Sequence, residues 1–170
     1  KKPFHEFMIE RIFDPLEMHN TLVYDESAPK SANRVVGFNG MNQKDDYEIF
    51  TTGAGGMYSN LDDLFKWEQS LSTEKLISKE TLEEAYTPTV LNNGAESNYG
   101  YGWGLNFTEQ RKAVEHSGGM NGFRTYLRRY LDTGNAFILL TNNGSAVKMG
   151  EINQALDQIL SGQDFTLPKI

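Results

Sequence analysis

The stretch Glu115–Gly144, "EHSGGMNGFRTYLRRYLDTGNAFILLTNNG", decides the fold. Two runs in it, "FRTYLRRYL" and "AFILLTN", are rich in aromatic and branched side chains, as strands are. Between them "DTGN" (Asp132–Asn135) has the composition of a hairpin turn. Upstream, "KAVEHSG" and "YGYGWGLNF" repeat that character, with a second turn expected at Glu109–Gln110. An antiparallel meander is therefore expected. A helix should close it over Ser145–Leu160, with Val147, Ile152, Leu156 and Ile159 on one face.

The pattern ahead of the meander is helical. Phe4, Phe7, Met8, Ile12 and Phe13 recur at helical spacing, and Pro15 should end that helix. Residues 16–56 read as irregular, with "GAGG" at Gly53–Gly56 as a bend; a loop region this long points to function. Asn60 then caps a helix with Asp62 and Asp63 in its positive first turn. Leu61, Leu64, Phe65, Trp67, Glu68 and Leu71 should form its inward stripe. Ser78 opens a third helix, "KETLEEAY", ended by Pro88, and an Asn/Gly-rich loop (Asn92–Asn98) leads to the strands. The fold class expected is α+β: 1–98 mainly helix and loop, 99–165 antiparallel strands and a C-terminal helix.

Composition narrows the function. The formal charge of −7 argues against a nucleic-acid partner, which would require a basic face. "RRY" at Arg128–Tyr130, a tight basic cluster, reads as a solvated strand face. The longest apolar run, Ala136–Leu140, is far below the roughly 18 residues of a membrane span. Zero cysteines exclude disulfides and thiolate metal sites. His5 and His19 lack ligand spacing and read as surface or packing residues, so neither a metal nor another cofactor is expected. No signal peptide is apparent: "KKPFHEFMIERIF" opens at once on an amphipathic pattern, which predicts a chain that starts inside a longer protein. A periplasmic or secreted location is expected ahead of a cytoplasmic one, with the compartment left open.

His116 is the informative residue. It precedes Ser117, Gly118 and Gly119 on a short strand, and small residues there let a substrate approach the backbone closely. Taken alone, it also reads as a half-buried strand histidine in a glycine-rich bend. Other segments add to it. "FHEFMIERIFDPLEMHNT", "GAGGMYSNLDDLFKW", "YGYGWGL" and "HSGGMNGF", in that order, resemble the serine hydrolases of the β-lactamase and penicillin-binding-protein family. The resemblance is closest to the class C β-lactamase, D-aminopeptidase and esterase branch. Glu17 stands where that family usually carries glycine.

The resemblance implies a partial fold of that family, its C-terminal portion, and serine-type acyl transfer on a β-lactam, a D-amino-acid peptide or an ester. It implies an S-x-x-K nucleophile and a Y-x-N motif supplied from upstream. His116, Ser117 and Gly118 match the third motif on the edge strand; Gly119 would give the backbone N–H that completes an oxyanion hole. His116 and Gly119 are thus the expected catalytic residues, and Ser117, Gly118 and Asn121 the expected substrate-binding ones.

Three S-x-x-K matches inside the chain read as decoys. Ser27–Lys30 contains Pro29 in a loop, Ser72–Lys75 lies in a polar linker, and Ser145–Lys148 reads as a helix cap. "YSN" at Tyr58–Asn60 spells the second motif, but its context makes Tyr58 structural or pocket-lining. Asn142 and Asn143 read as turn residues or substrate contacts. Two further readings stay open: a non-catalytic binding or interaction module derived from the family, and a compact enzyme using Ser145 and Lys148. The expected partners are a small-molecule or peptide substrate, and either the missing N-terminal half or a second copy bound at an exposed sheet edge.

Overall fold

The computed structural model describes residues 2–24, 33–46, 52–144 and 146–168. It divides into two compact units: Lys1–Arg34 with Tyr47–Gly102, and Val35–Asp46 with Trp103–Ile170.

In the first unit, helix α1 (Phe4–Met8) continues as a π-helix over Ile9–Phe13 in place of the single α-helix expected. Pro15 explains the widening. Its ring lacks an N–H and would clash with the carbonyl of Arg11, so the chain closes instead through Asp14 N–H to the Ile9 carbonyl, 2.9 Å. Phe13, Leu16, Met18 and Val23 are buried together, with Met8, Ile12, Trp67 and Leu76 packed on them. Glu17 adopts φ 57°, the left-handed region where a Cβ costs about 1–2 kcal/mol. The Lys66 ammonium donates to its carbonyl at 2.5 Å and so fixes this turn without glycine. Within the region expected to be irregular, β1 (Leu22–Val23) pairs antiparallel with β2 (Met57–Tyr58).

Asn60 caps α2 (Leu61–Ser70) as expected, its side chain accepting from Asp63 N–H at 2.9 Å. The inward stripe differs. Leu61 and Phe65 are 53% and 58% exposed, while Asp63, Glu68, Ser70 and Leu71 are buried. Asp63 is the reason: its carboxylate accepts from Asn20 N–H and from the Thr21 hydroxyl, both at 2.8 Å, and Thr21 also meets the Ser59 hydroxyl at 2.7 Å. Buried hydrogen-bonded polar groups set the helix rotation here. Asp63→Ala would strand two donors, so a loss of about 2–3 kcal/mol is expected in urea unfolding; an unchanged midpoint would show the network to be idle.

Ser78 caps α3 (Lys79–Ala85), accepting from Thr81 N–H at 3.3 Å. Tyr99–Trp103 do not extend the next strand as expected. Tyr101 N–H instead satisfies the Ala85 carbonyl at the end of α3 (3.0 Å), and Gly102 takes φ 77°.

The second unit carries a four-stranded antiparallel sheet in the order β3 (Gly104–Phe107), β4 (Lys112–Met120), β5 (Phe123–Tyr130), β6 (Ala136–Thr141). Helix α4 spans Met149–Leu160, starting four residues later than expected. Gly144 is drawn back into bonds with the Phe38 and Gly122 carbonyls (3.2 and 2.9 Å), so its N–H serves that crossing and not a helix. On α4, Ala155 is the buried residue and Ile159 is 45% exposed.

"RRY" is not a solvated face. Arg128, Arg129 and Tyr130 are all buried. Arg128 is bonded to Glu115 directly across the sheet, to Asp157 on α4 and to the Tyr126 hydroxyl; Tyr130 also donates to Asp157. Burial alone would draw the Arg128 pKa down, and the Asp157 and Glu115 carboxylates more than reverse that. The same burial, with Glu115 beside it, pushes the Tyr126 phenol up. The guanidinium pins α4 to one face of the sheet.

Candidate active site

Register and side-chain contacts define the two faces of β4. Glu115↔Arg128 and Ala113↔Tyr130 lie on the face that carries α4. Val114, His116 and Gly118 alternate to the opposite face, opposite Arg129, Leu127 and Thr125 of β5. Glu115 therefore faces away from His116. His116 is exposed, with its Nδ1 at 2.8 Å from the Ser117 carbonyl. Gly118 is half-buried: a Cβ there would lie 2.3 Å from the Thr125 hydroxyl oxygen.

The backbone of β4 matters more than its side chains. Strand β3 covers it only as far as Glu115, which pairs with Gly104. Leu131 N–H donates to the Lys112 carbonyl at 2.8 Å. From that pair the antiparallel alternation turns the N–H and C=O groups of Val114, His116, Gly118 and Met120 toward β5. Those of Ala113, Glu115, Ser117 and Gly119 turn the other way. For Ser117 and Gly119 that side lies beyond the end of β3. Two backbone donors two residues apart thus point over a sheet edge, beside the exposed imidazole. Such an edge can take an extended chain, or an oxygen bearing negative charge.

Asn121 forms the β4–β5 turn with Gly122, taking φ 39°. Its carbonyl accepts from Arg124 at 3.2 Å, and its side-chain nitrogen is buried with no hydrogen-bond partner among the described residues. Asn142 is tied down, its side-chain amide donating to the Val36 carbonyl at 2.9 Å.

Among the described residues no S-x-x-K decoy lies on a helix. Ser72 and Lys75 are exposed in the bends after α2. Ser27–Lys30 and Ser145 lie outside the described residues. Lys148 is the N-cap of α4, paired with Glu151 at 3.2 Å. Tyr58 sits in β2 with Arg34 stacked 5.0 Å over its ring, a packing role. Among the described residues no group of three or more His, Asp or Glu is placed to hold a metal ion, and no helix is long and apolar enough to cross a membrane.

Residue reading missed Val36–Asp45, which bonds to the β4–β5 turn through Gly122 N–H to the Asp45 carbonyl, 2.8 Å. The signal was present in "VVGFNG" and "MNGF": a glycine in each, where backbones cross.

Comparison with known proteins agrees with this architecture. The family described as Beta-lactamase matches residues 1–160. Penicillin-binding protein 4* of Bacillus subtilis is 38% identical over 119 residues, 69% of this chain and 26% of that protein. The D-aminopeptidase of Brucella ovis is 24% identical over 160 residues, 89% of this chain and 30% of that enzyme. Among solved structures, the octameric penicillin-binding protein homologue from Pyrococcus abyssi superposes with a TM-score of 0.78 at 22% identity, over 94% of this chain and 38% of that one. The chain thus spans 26–38% of the length of these three proteins.

Proposed function

The chain belongs to the Beta-lactamase family, and on that premise we propose that it is the C-terminal portion of a serine-type acyl hydrolase whose S-x-x-K nucleophile lies outside these residues. Its contribution is the third motif. His116 donates to a substrate carboxylate or a developing anion, and Gly119 N–H holds the oxyanion together with the nucleophile's own N–H. Ser117 and Gly118 line the approach of the acyl group, and Asn121, at the turn beyond them, is a further substrate contact. The substrate class is a β-lactam, a D-amino-acid peptide or a small ester.

The observation that carries this reading is the open edge of β4, where two backbone donors and an exposed histidine share one strand end. A nucleophile delivered there by another stretch of polypeptide would complete an acyl-transfer site. Phe4, Phe7 and Ile9 on the first helix, and Leu61 and Phe65 on α2, are large apolar side chains left exposed, which supports burial against polypeptide outside this chain. The octamer named for the Pyrococcus abyssi homologue makes a second copy of this chain the other occupant to test.

A serine-directed covalent probe is expected to leave the isolated 170-residue chain unlabelled, by intact-mass spectrometry. The same probe should label one serine when the upstream part of the same domain is present. Labelling of any serine of this chain would overturn the proposal. A complete domain that binds substrate without labelling would leave an interaction module.

A further inference from the structure

Three glycines from three separate stretches, Gly37, Gly122 and Gly144, interlock behind the turn that follows the H-S-G-G strand. We propose that this knot is the positioning device for the Gly119 N–H, so that Val36–Asp45 belongs to the acyl-transfer machinery. The inference rests on the reading of Gly119 as an anion-hole donor.

The packing is backbone against backbone. A Cβ on Gly122 would lie 2.2 Å from the Phe38 nitrogen, 2.4 Å from the Gly37 carbonyl carbon and 2.6 Å from the Gly37 Cα. One on Gly144 would lie 2.9 Å from the Asn121 carbonyl oxygen, and one on Gly37 would lie 2.9 Å from that of Asp45. These atoms cannot swing aside as the end of a flexible side chain can. The φ of Gly122 lies outside the left-handed range, so close approach, and not turn geometry, requires glycine there.

Hydrogen bonds tie the same three stretches. Gly122 N–H reaches the Asp45 carbonyl at 2.8 Å and its own carbonyl accepts from Gly144 at 2.9 Å. Phe38 N–H donates to the Asn142 carbonyl at 2.7 Å, and Asp45 N–H to the Gly37 carbonyl at 2.9 Å. A two-residue Asn-Gly loop closes a hairpin without outside help. Here the loop is held from outside at both backbone groups of Gly122.

The reason lies on β4. Past Glu115 that strand has, among the described residues, a sheet neighbour on one side alone. Pairing with β5 fixes the side on which Gly119 N–H emerges, but a single paired edge leaves the strand end free to shift and twist about that pairing. The knot supplies the second anchor, three residues beyond. Arg124 relays it: its Nη1 donates to the Asn121 and Phe123 carbonyls (3.2 and 2.7 Å), and its Cδ would be 3.4 Å from a Cβ on Gly119. An anion-hole donor must be held to about 0.5 Å, and a displacement of about 1 Å can cost about 10²-fold in rate.

The test is Gly122→Ala, with Gly150→Ala on α4 as control, since an added Cβ there meets nothing within 4 Å. In the chain itself, the backbone order parameter of Gly119 should fall from about 0.85 to below about 0.6 while those of Val114 and Tyr130 hold. An unchanged Gly119 overturns the proposal. If Gly122→Ala unfolds the sheet, Asn142→Ala, which deletes only the bond to Val36, takes its place, and the same unchanged Gly119 overturns it. In the complete enzyme, Gly122→Ala should lower kcat by about 10–100-fold with KM nearly constant. Mobility gained at Gly119 without loss of kcat would indict the donor role of Gly119 and leave the knot standing.

Discussion

Arg128→Ala is expected to destabilise the chain by about 3–5 kcal/mol, the cost of leaving buried carboxylates without their cation. For a chain of this size that corresponds to a melting temperature lower by about 6–20 °C. The guanidinium joins Glu115 on β4, Asp157 on α4 and the Tyr126 hydroxyl, and its side chain is 10% exposed. Glu115 and Asp157 retain 25% and 33%, so water softens the penalty and the lower half of that range is expected. Asp157→Asn should cost less than Arg128→Ala, and the two together less than their sum, because both act on one network. Additive losses, or a melting shift below about 2 °C, would mean that α4 is held by its apolar face alone.

That network also shows where sequence reading stops. Strand periodicity located β4, β5 and β6, and turn composition two of the three hairpin connections, because alternating aromatic and branched residues have few other uses. The caps at Asn60 and Ser78 were legible because one side chain and the N–H three residues on suffice. Arg128 was misread because composition assigns charge to the surface by default, and the burial of Asp63 in the first turn of α2 went unread for the same reason. Both are buried by partners far away in the chain, Asp157 in one case and Asn20 with Thr21 in the other. The late start of α4 and the short β3 have the same origin. Gly144 and Tyr101 give their N–H groups to distant carbonyls, which no local propensity encodes.

The candidate site divides in the same way. His116-Ser117-Gly118-Gly119 could be singled out from residue type and order. The direction of each N–H follows from register, and register needs the partner strands. Only with Leu131 bonded to Lys112, and β3 ending opposite Glu115, does Gly119 acquire an outward donor while Gly118 does not.

Gly119→Pro follows from that parity. Proline on an edge strand is tolerated where its missing N–H faces away from the neighbouring strand. Gly119 meets that condition, its pairing with Arg124 being one in which the backbone groups turn outward. The sheet should therefore survive, with an unfolding midpoint near that of the parent. Acyl transfer by the complete enzyme should fall by about 10²–10³-fold in kcat, the magnitude attached to one anion-hole donor. Gly119→Ala separates loss of the donor from crowding. It keeps the N–H, and its Cβ would meet Arg124 Cδ at 3.4 Å, an ordinary contact. Alanine should retain most of the turnover that proline abolishes. Equal turnover in the two variants would place the second donor elsewhere and reduce the H-S-G-G strand to a wall of the cleft.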